Sequence, residues 1–164
     1  IYAGAVAAKD FRCVLVTADD ETVLPEHMDF GTRMLDDKVK AVTYPQKAVP
    51  CRGSQGDSSI FVQWQSIEYK MRDHAKMIQS KWSTVLFPNI SASLWDRKTL
   101  IECLRQDDPG GIISLTTRMG FWLLDHKYEM KMNVSGCWGS EREHVTTMRF
   151  TLFSHCAIPD SAIL

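Results

Sequence analysis

The chain is short of asparagine, of long apolar runs and of net charge. Only two of its 164 residues are asparagine. No apolar run approaches the ~18 residues that cross a bilayer, so no membrane association is expected. Lysine plus arginine number 19 and aspartate plus glutamate 20, giving a formal net charge of -1. That balance excludes a chain that holds nucleic acid through bulk positive charge. The five tryptophans are dispersed and not interleaved with a basic stripe, so stacking on bases has no support either. No two cysteines have the C-x-x-C spacing of a zinc knuckle, and no histidines have H-x-x-x-H or H-E-x-x-H spacing. No metal site is therefore expected. The acidic groups Asp19-Asp20-Glu21 and Asp107-Asp108 lack the spaced ligands of a calcium loop and read as solvated turns. There is no P-loop, no G-x-G-x-x-G and no G-x-S-x-G.

What is present is ordinary for a globular protein, with 45% hydrophobic and 24% charged residues. A chain of this size supports a core without staples, and a single domain over 1–164 is the expectation. Cysteines stand at 13, 51, 103, 137 and 156. An odd number at irregular spacing is no closed disulfide framework, and it leans the reading toward reduced, mostly buried thiols in the cytoplasm. Ile1–Ala8 is apolar but short and has no basic residue before it, unlike a signal peptide. Yet both asparagines sit in glycosylation sequons, Asn89-Ile90-Ser91 and Asn133-Val134-Ser135, which keeps a secreted glycoprotein in view.

Hydrophobic patterning predicts a strand over Arg12–Thr17 and a helix beginning at Pro25, continued by Met28, Met34, Leu35 and Val39 and weakened at Gly31. Tyr44–Ser59, rich in proline and glycine, reads as a long mobile loop. Ile60-Phe61-Val62 reads as a short buried strand. The clearest helix runs from a Ser66 cap to Trp82, and Ile67, Met71, Ala75, Ile78 and Trp82 form one apolar stripe taken to face the core. A strand over Thr84–Phe87, a helix over Ser93–Gln106 and a strand over Ile112–Leu115 follow. Phe121–Leu124 is a strand or a short helix. Tyr128–Val134 and Met148–Leu152 alternate as strands with one wet face. The expected architecture is α/β: a mixed, mostly parallel sheet with helices on both faces and an antiparallel C-terminal strand pair. Such sheets bind ligands beyond the strand C-termini, here near Thr17, Trp64, Phe87 and Leu115.

Two family resemblances attach to these residues. Ile1–Asp10 is similar to the small-apolar first strand of the dihydrofolate reductases, Leu24-Pro25-Glu26-His27-Met28-Asp29-Phe30 looks like their helix-opening motif, and Ser59–Val62 and Gly111–Ser114 fall where later strands would. The resemblance implies a scaffold that binds reduced pyridine nucleotide (NADPH) and a pterin-like small molecule, with Val6, Met28 and Ile113 in an apolar pocket. The family's proton-relaying acid maps onto His27, an imidazole that can deliver a proton near neutral pH. The family's glycine pair maps onto Leu115-Thr116-Thr117, and the Pro-Trp dipeptide before Leu24 is missing. Separately, Cys51-Arg52-Gly53-Ser54-Gln55 with Trp64 resembles the start of an immunoglobulin variable domain. That resemblance implies a non-catalytic extracellular binding module, glycosylated at Asn89 and Asn133, with an unidentified protein partner. The strong helix before Trp82 opposes a sandwich.

Overall fold

A computed structural model describes residues 1–18, 21–23, 25–50, 60–89, 91–105, 114–133 and 140–144. The helices are α1 (Tyr2–Ala7), α2 (Pro25–Met34), α3 (Ile60–Trp82), α4 (Arg97–Leu104) and α5 (Leu115–Asp125). The strands are β1 (Cys13–Thr17), β2 (Glu21–Val23), β3 (Val39–Thr43), β4 (Gln46–Pro50), β5 (Ala92–Asp96), β6 (Glu129–Met132) and β7 (Ser140–His144). Four strands form a mixed sheet in the order β1-β5-β3-β6, and three form a second sheet in the order β2-β7-β4. β5 lies antiparallel to both β1 and β3, while β3 and β6 run parallel. In the second sheet β2 and β7 are antiparallel and β4 and β7 parallel.

The protein is thus α/β with mixed sheets, but it is not mostly parallel, because antiparallel ladders outnumber parallel ones among the described residues. β5 causes the difference. Ser93-Leu94-Trp95 was expected to open a helix, but it is enclosed between two strands. There the Trp95 indole donates to Ser93 Oγ at 2.8 Å, the same-face contact of residues two apart on a strand. Pairing on both edges outweighs the weak local preference for helix. The first member of the expected C-terminal antiparallel pair is the strand β6, which lies parallel to β3 at the edge of its sheet. Its second member, Met148–Leu152, lies outside the described residues.

Alternate residues of the four-stranded sheet enter two apolar clusters. Val16, Ala41, Trp95, Met130 and Met132 join Ala5 of α1, Leu100 and Cys103 of α4, and Met119, Trp122 and Leu123 of α5. Val42, Tyr44, Ala92 and Leu94 join Val23 and Leu35, with Met28 and Met34 of α2 packed against them. Gly31 has a use in this second cluster, because a Cβ there would collide with the Tyr44 hydroxyl. α2 begins at Pro25 as expected. An Asx turn follows it, with Asp36 Oδ1 accepting from the Lys38 and Val39 backbone N–H groups, both at 2.7 Å.

α3 is turned around relative to expectation. Its first turn takes in Ile60 to Val62, so that segment is no strand and Ser66 is no cap. Ile60, Trp64, Ile67, Met71, Ile78 and Trp82 are between 44% and 88% exposed. The buried side carries Val62, Gln65, Tyr69, Asp73 and Lys76 instead. Most of these polar groups find partners on β4, on the segment after the helix or within the helix itself, while Gln65 Oε1 is buried without a hydrogen-bond partner. Asp73 Oδ2 accepts the Gln46 backbone N–H of β4 at 2.9 Å. Lys76 Nζ lies 3.5 Å from Asp73 Oδ1 and also donates to Asn89 Oδ1. The Gln46 side chain donates to Glu21 Oε1 at 2.7 Å, and Gln65 donates to the Tyr69 hydroxyl at 2.7 Å. Burial pushes Lys76 down to about 8, against the pull of Asp73, and pushes the Asp73 carboxyl up from its ordinary value. At its C-terminal end α3 is tied to β6, where Met132 N donates to Ser80 Oγ at 2.9 Å.

Further expectations are corrected. Ile1–Asp10 holds the helix α1, not a first strand. Gln46–Pro50, inside the expected loop, is a strand, and 51–59 lie outside the described residues. Thr84–Phe87 forms no strand and meets β6 through Val85 N to Met130 O at 3.0 Å and Met130 N to Thr84 Oγ1 at 2.7 Å. Ser114 caps α5 and Leu115 opens it, so the strand expected over Ile112–Leu115 fails at its described half.

Candidate functional site

β5 passes into α4 without a loop, and one residue makes the turn. Asp96 accepts the Thr99 backbone N–H at 3.0 Å and the Thr99 hydroxyl at 2.9 Å, an N-cap that satisfies free donors of the first helical turn. The cap places Arg97, Lys98 and Thr99 at the end of the four-stranded sheet. β1 starts at that same end, because it is antiparallel to β5, and brings Lys9, Asp10, Phe11 and Arg12 alongside. The corner before β3 contributes Asp37, the start of β3 contributes Lys40, and Tyr128 stands just before β6. Together with Glu102 these residues line a cleft of about 610 Å³, within the range of small-molecule sites, roughly 300–1,000 Å³.

Main-chain carbonyls hold the cations in place. Arg97 N donates to Arg12 O at 2.9 Å. The Arg97 guanidinium reaches Ala5 O at 3.4 Å, and the Arg12 guanidinium reaches Leu35 O at 3.4 Å. Lys40 Nζ donates to Asp36 O at 3.0 Å and stands 5.7 Å from the centre of the Tyr128 ring. Behind that ring lies an aromatic group. Trp122 and His126 stack with centroids 4.0 Å apart, and Tyr128 lies 6.2 Å from Trp122. Phe11 also lines the cleft and is largely exposed.

The chemistry follows from the inventory. Lys9, Arg12, Lys40, Arg97 and Lys98 offer positive charge and Asp10, Asp37, Asp96 and Glu102 negative charge, with Asp96 already engaged as a cap. A surface so nearly balanced disfavours a highly charged polyanion. It suits a ligand with one to three phosphates, a flat ring for Phe11 or Tyr128, and amino groups for the carboxylates. Among the described residues no three of His, Cys, Asp and Glu converge as metal ligands would.

The residues singled out from sequence are elsewhere. His27 is 5% exposed on α2, and its carbonyl accepts from the Asn133 side chain at 3.5 Å. Val6 is 44% exposed on α1, whose neighbouring Ala5 enters the first cluster, whereas Met28 packs against the second. The three therefore do not converge on one pocket, and none of them lines the cleft. Ile113 lies outside the described residues. Asn133 is 1% exposed, and the Asn89 amide nitrogen is buried, so neither presents that atom to solvent as an attached glycan requires. Cys103 is buried and its thiol is pushed up to about 12 by burial, which suits an inert structural thiol. Cys13 is a partly buried free thiol, and the remaining cysteines lie outside the described residues. None of the strand ends expected to hold ligand, near Thr17, Trp64, Phe87 and Leu115, lines the cleft. One signal for the cleft was available: Asp96 three residues before Thr99 is a helix-start pattern.

No helix among the described residues is long and apolar enough to cross a membrane. No protein-family model matches the chain, and no curated protein matches it.

Proposed function

We propose that this domain binds a phosphorylated planar heterocycle, a nucleotide in chemical class, in the cleft between the start of β1 and the start of α4. One observation carries the reading: five cations and two aromatic rings, drawn from four separate chain segments, surround a single cleft of about 610 Å³. Arg97 and Lys98 would hold phosphate, aided by the first turn of α4, while Tyr128 would take the ring on the face not backed by Trp122. The scaffold for this ligand, in the same reading, is a sheet with helices on both faces. Its support is that α1, α4 and α5 share one apolar cluster and α2 borders the other.

The narrower form of the proposal is a reductase that takes NADPH in this cleft and a pterin-like substrate beside it. Its support is the helix start at Pro25 within the motif shared with the dihydrofolate reductases. NADPH would supply a hydride when bound. The chain's own part is to hold phosphate through Arg12, Arg97 and Lys98 and to orient a ring on Tyr128. His27 does not line the cleft, so binding is proposed without a catalytic residue.

Titration with NADPH and AMP, followed by tryptophan fluorescence and thermal shift, tests the reading. Trp122 stands behind Tyr128, so saturable quenching is expected with Kd of about 1–100 µM. Replacing Arg97 and Lys98 together by alanine weakens binding about tenfold or more. Absence of quenching and of thermal shift at millimolar NADPH and AMP overturns the proposal.

A further inference from the structure

The exposed stripe of α3 is symmetric about its own centre. Its apolar residues stand in pairs around Met71: Ile67 and Ala75 four residues away, Trp64 and Ile78 seven, Ile60 and Trp82 eleven. At 3.6 residues per turn all seven fall within about 40° of the Met71 direction, so they make one straight strip on a helix about 34 Å long. Ala75, like the six large side chains, is exposed. The opposite side of the helix is occupied by β4 and by the buried Asp73–Lys76 pair, so the strip has one free direction in which to find cover.

A strip that reads the same in both directions is complementary to its own copy run antiparallel. Two-fold dimers require this property, since each surface patch must meet itself across the axis. We propose that α3 pairs with α3 of a second copy of this chain about a two-fold axis passing between the two Met71 side chains. Ile60 then meets the partner's Trp82, Trp64 the partner's Ile78, and Ile67 the partner's Ala75. The bulky members, Trp64 and Trp82, face the smaller Ile78 and Ile60, which allows close approach at 8–10 Å between helix axes, the usual distance. Glu68 and Arg72 border the same edge of the strip and lie within 4.0 Å of each other in one chain. Six large side chains at on the order of 100 Å² each cover about 1,200 Å² over both copies, the lower end of a specific interface.

The axis gives the proposal its test, because position 71 meets itself. Sedimentation of the wild-type chain at tens of micromolar should show a dimer. Met71→Glu and Met71→Lys, each alone, place like charges together at the axis and should raise the dimer Kd by about a hundredfold or more. Mixed in equal amounts, the two variants should recover a dimer, since Glu then faces Lys. Met71 is exposed, so neither variant should alter the helical circular dichroism of the monomer. A wild-type chain that is monomeric at 100 µM, a single variant that still dimerises, or a mixture that stays monomeric would each overturn the proposal. These measurements do not involve the cleft, so their outcome is independent of ligand binding there.

Discussion

α5 and α3 solve the same problem in opposite ways. α5 buries Met119, Trp122 and Leu123 and shows Asp125 to solvent, as an amphipathic helix on a sheet should. α3 buries Asp73 and Lys76, at 6% and 5% exposure, and shows Met71 and Trp82. α5 is held by apolar area removed from water. α3 is held by hydrogen bonds to β4 and to the segment after the helix, by an Asp73–Lys76 ion pair within the helix itself, and by a small apolar contact of Val62 and Tyr69 with Ala48. The contrast teaches that an apolar stripe marks a surface seeking cover without saying which neighbour provides it. A helix whose sheet-facing side is polar but largely partnered can reserve its apolar side for another use.

The largest effect expected from this comparison is on α3. Lys76→Met leaves Asp73 as a buried carboxylate without its cation and should cost about 4 kcal/mol in urea unfolding at pH 7. Adding Asp73→Asn, which removes the orphaned charge and keeps an acceptor for Gln46 N, should restore most of the loss. A single variant as stable as the wild type would mean that the pair does not anchor the helix.

The next effect is on α5. Leu123→Ala should cost about 3 kcal/mol, because the cavity lies in the first apolar cluster. The same truncation of an exposed residue, Ile67→Ala, should change unfolding by less than about 0.5 kcal/mol when measured below the concentration at which the chain associates. Comparable losses from the two would erase the distinction between the helices.

Much of this contrast was hidden in the sequence. Strand β1, the α2 start at Pro25, the helical course of α3 and strand β6 are local patterns and were readable as such, whereas Phe121–Leu124 read equally as strand or short helix and proves to be part of α5. The facing of α3 was not, because periodicity gives a stripe but not the partner that lies against it. Gln65, Asp73 and Lys76 look like a solvated face until Gln46 and Asn89 are brought opposite them. Trp95 looked helical because its flanking strands, β1 and β3, come from more than fifty residues earlier in the chain. The cleft was illegible for a similar reason. Arg12, Lys40, Arg97 and Tyr128 share no motif and meet only because an antiparallel sheet brings the start of β1 to the end of β5.

The smallest effect expected is on pH dependence, and it separates an ionised buried pair from a neutral one. Lys76 sits at about 8 in the folded chain because burial outweighs the attraction of Asp73, while an unfolded lysine keeps its proton to about 10.4. Between those values the unfolded chain binds more protons than the folded one, so stability rises with pH through that window. Asp73 contributes in the opposite sense and elsewhere. Its raised value makes the folded chain hold a proton that the unfolded chain has lost, so stability falls as pH rises from the ordinary carboxylate value to the raised one. The ceiling is about 1.4 kcal/mol per pH unit for one proton, reached only where the folded chain has fully released it and the unfolded chain has fully kept it. A gain of about 1 kcal/mol is expected between pH 7.5 and 9.5, taken as wild type minus the Lys76→Met/Asp73→Asn double variant so that other titrations cancel. A difference that stays flat across that interval would mean that Lys76 keeps its proton as an exposed lysine does, and that the inner side of α3 is wetter than the inner side of α5 by more than its composition requires.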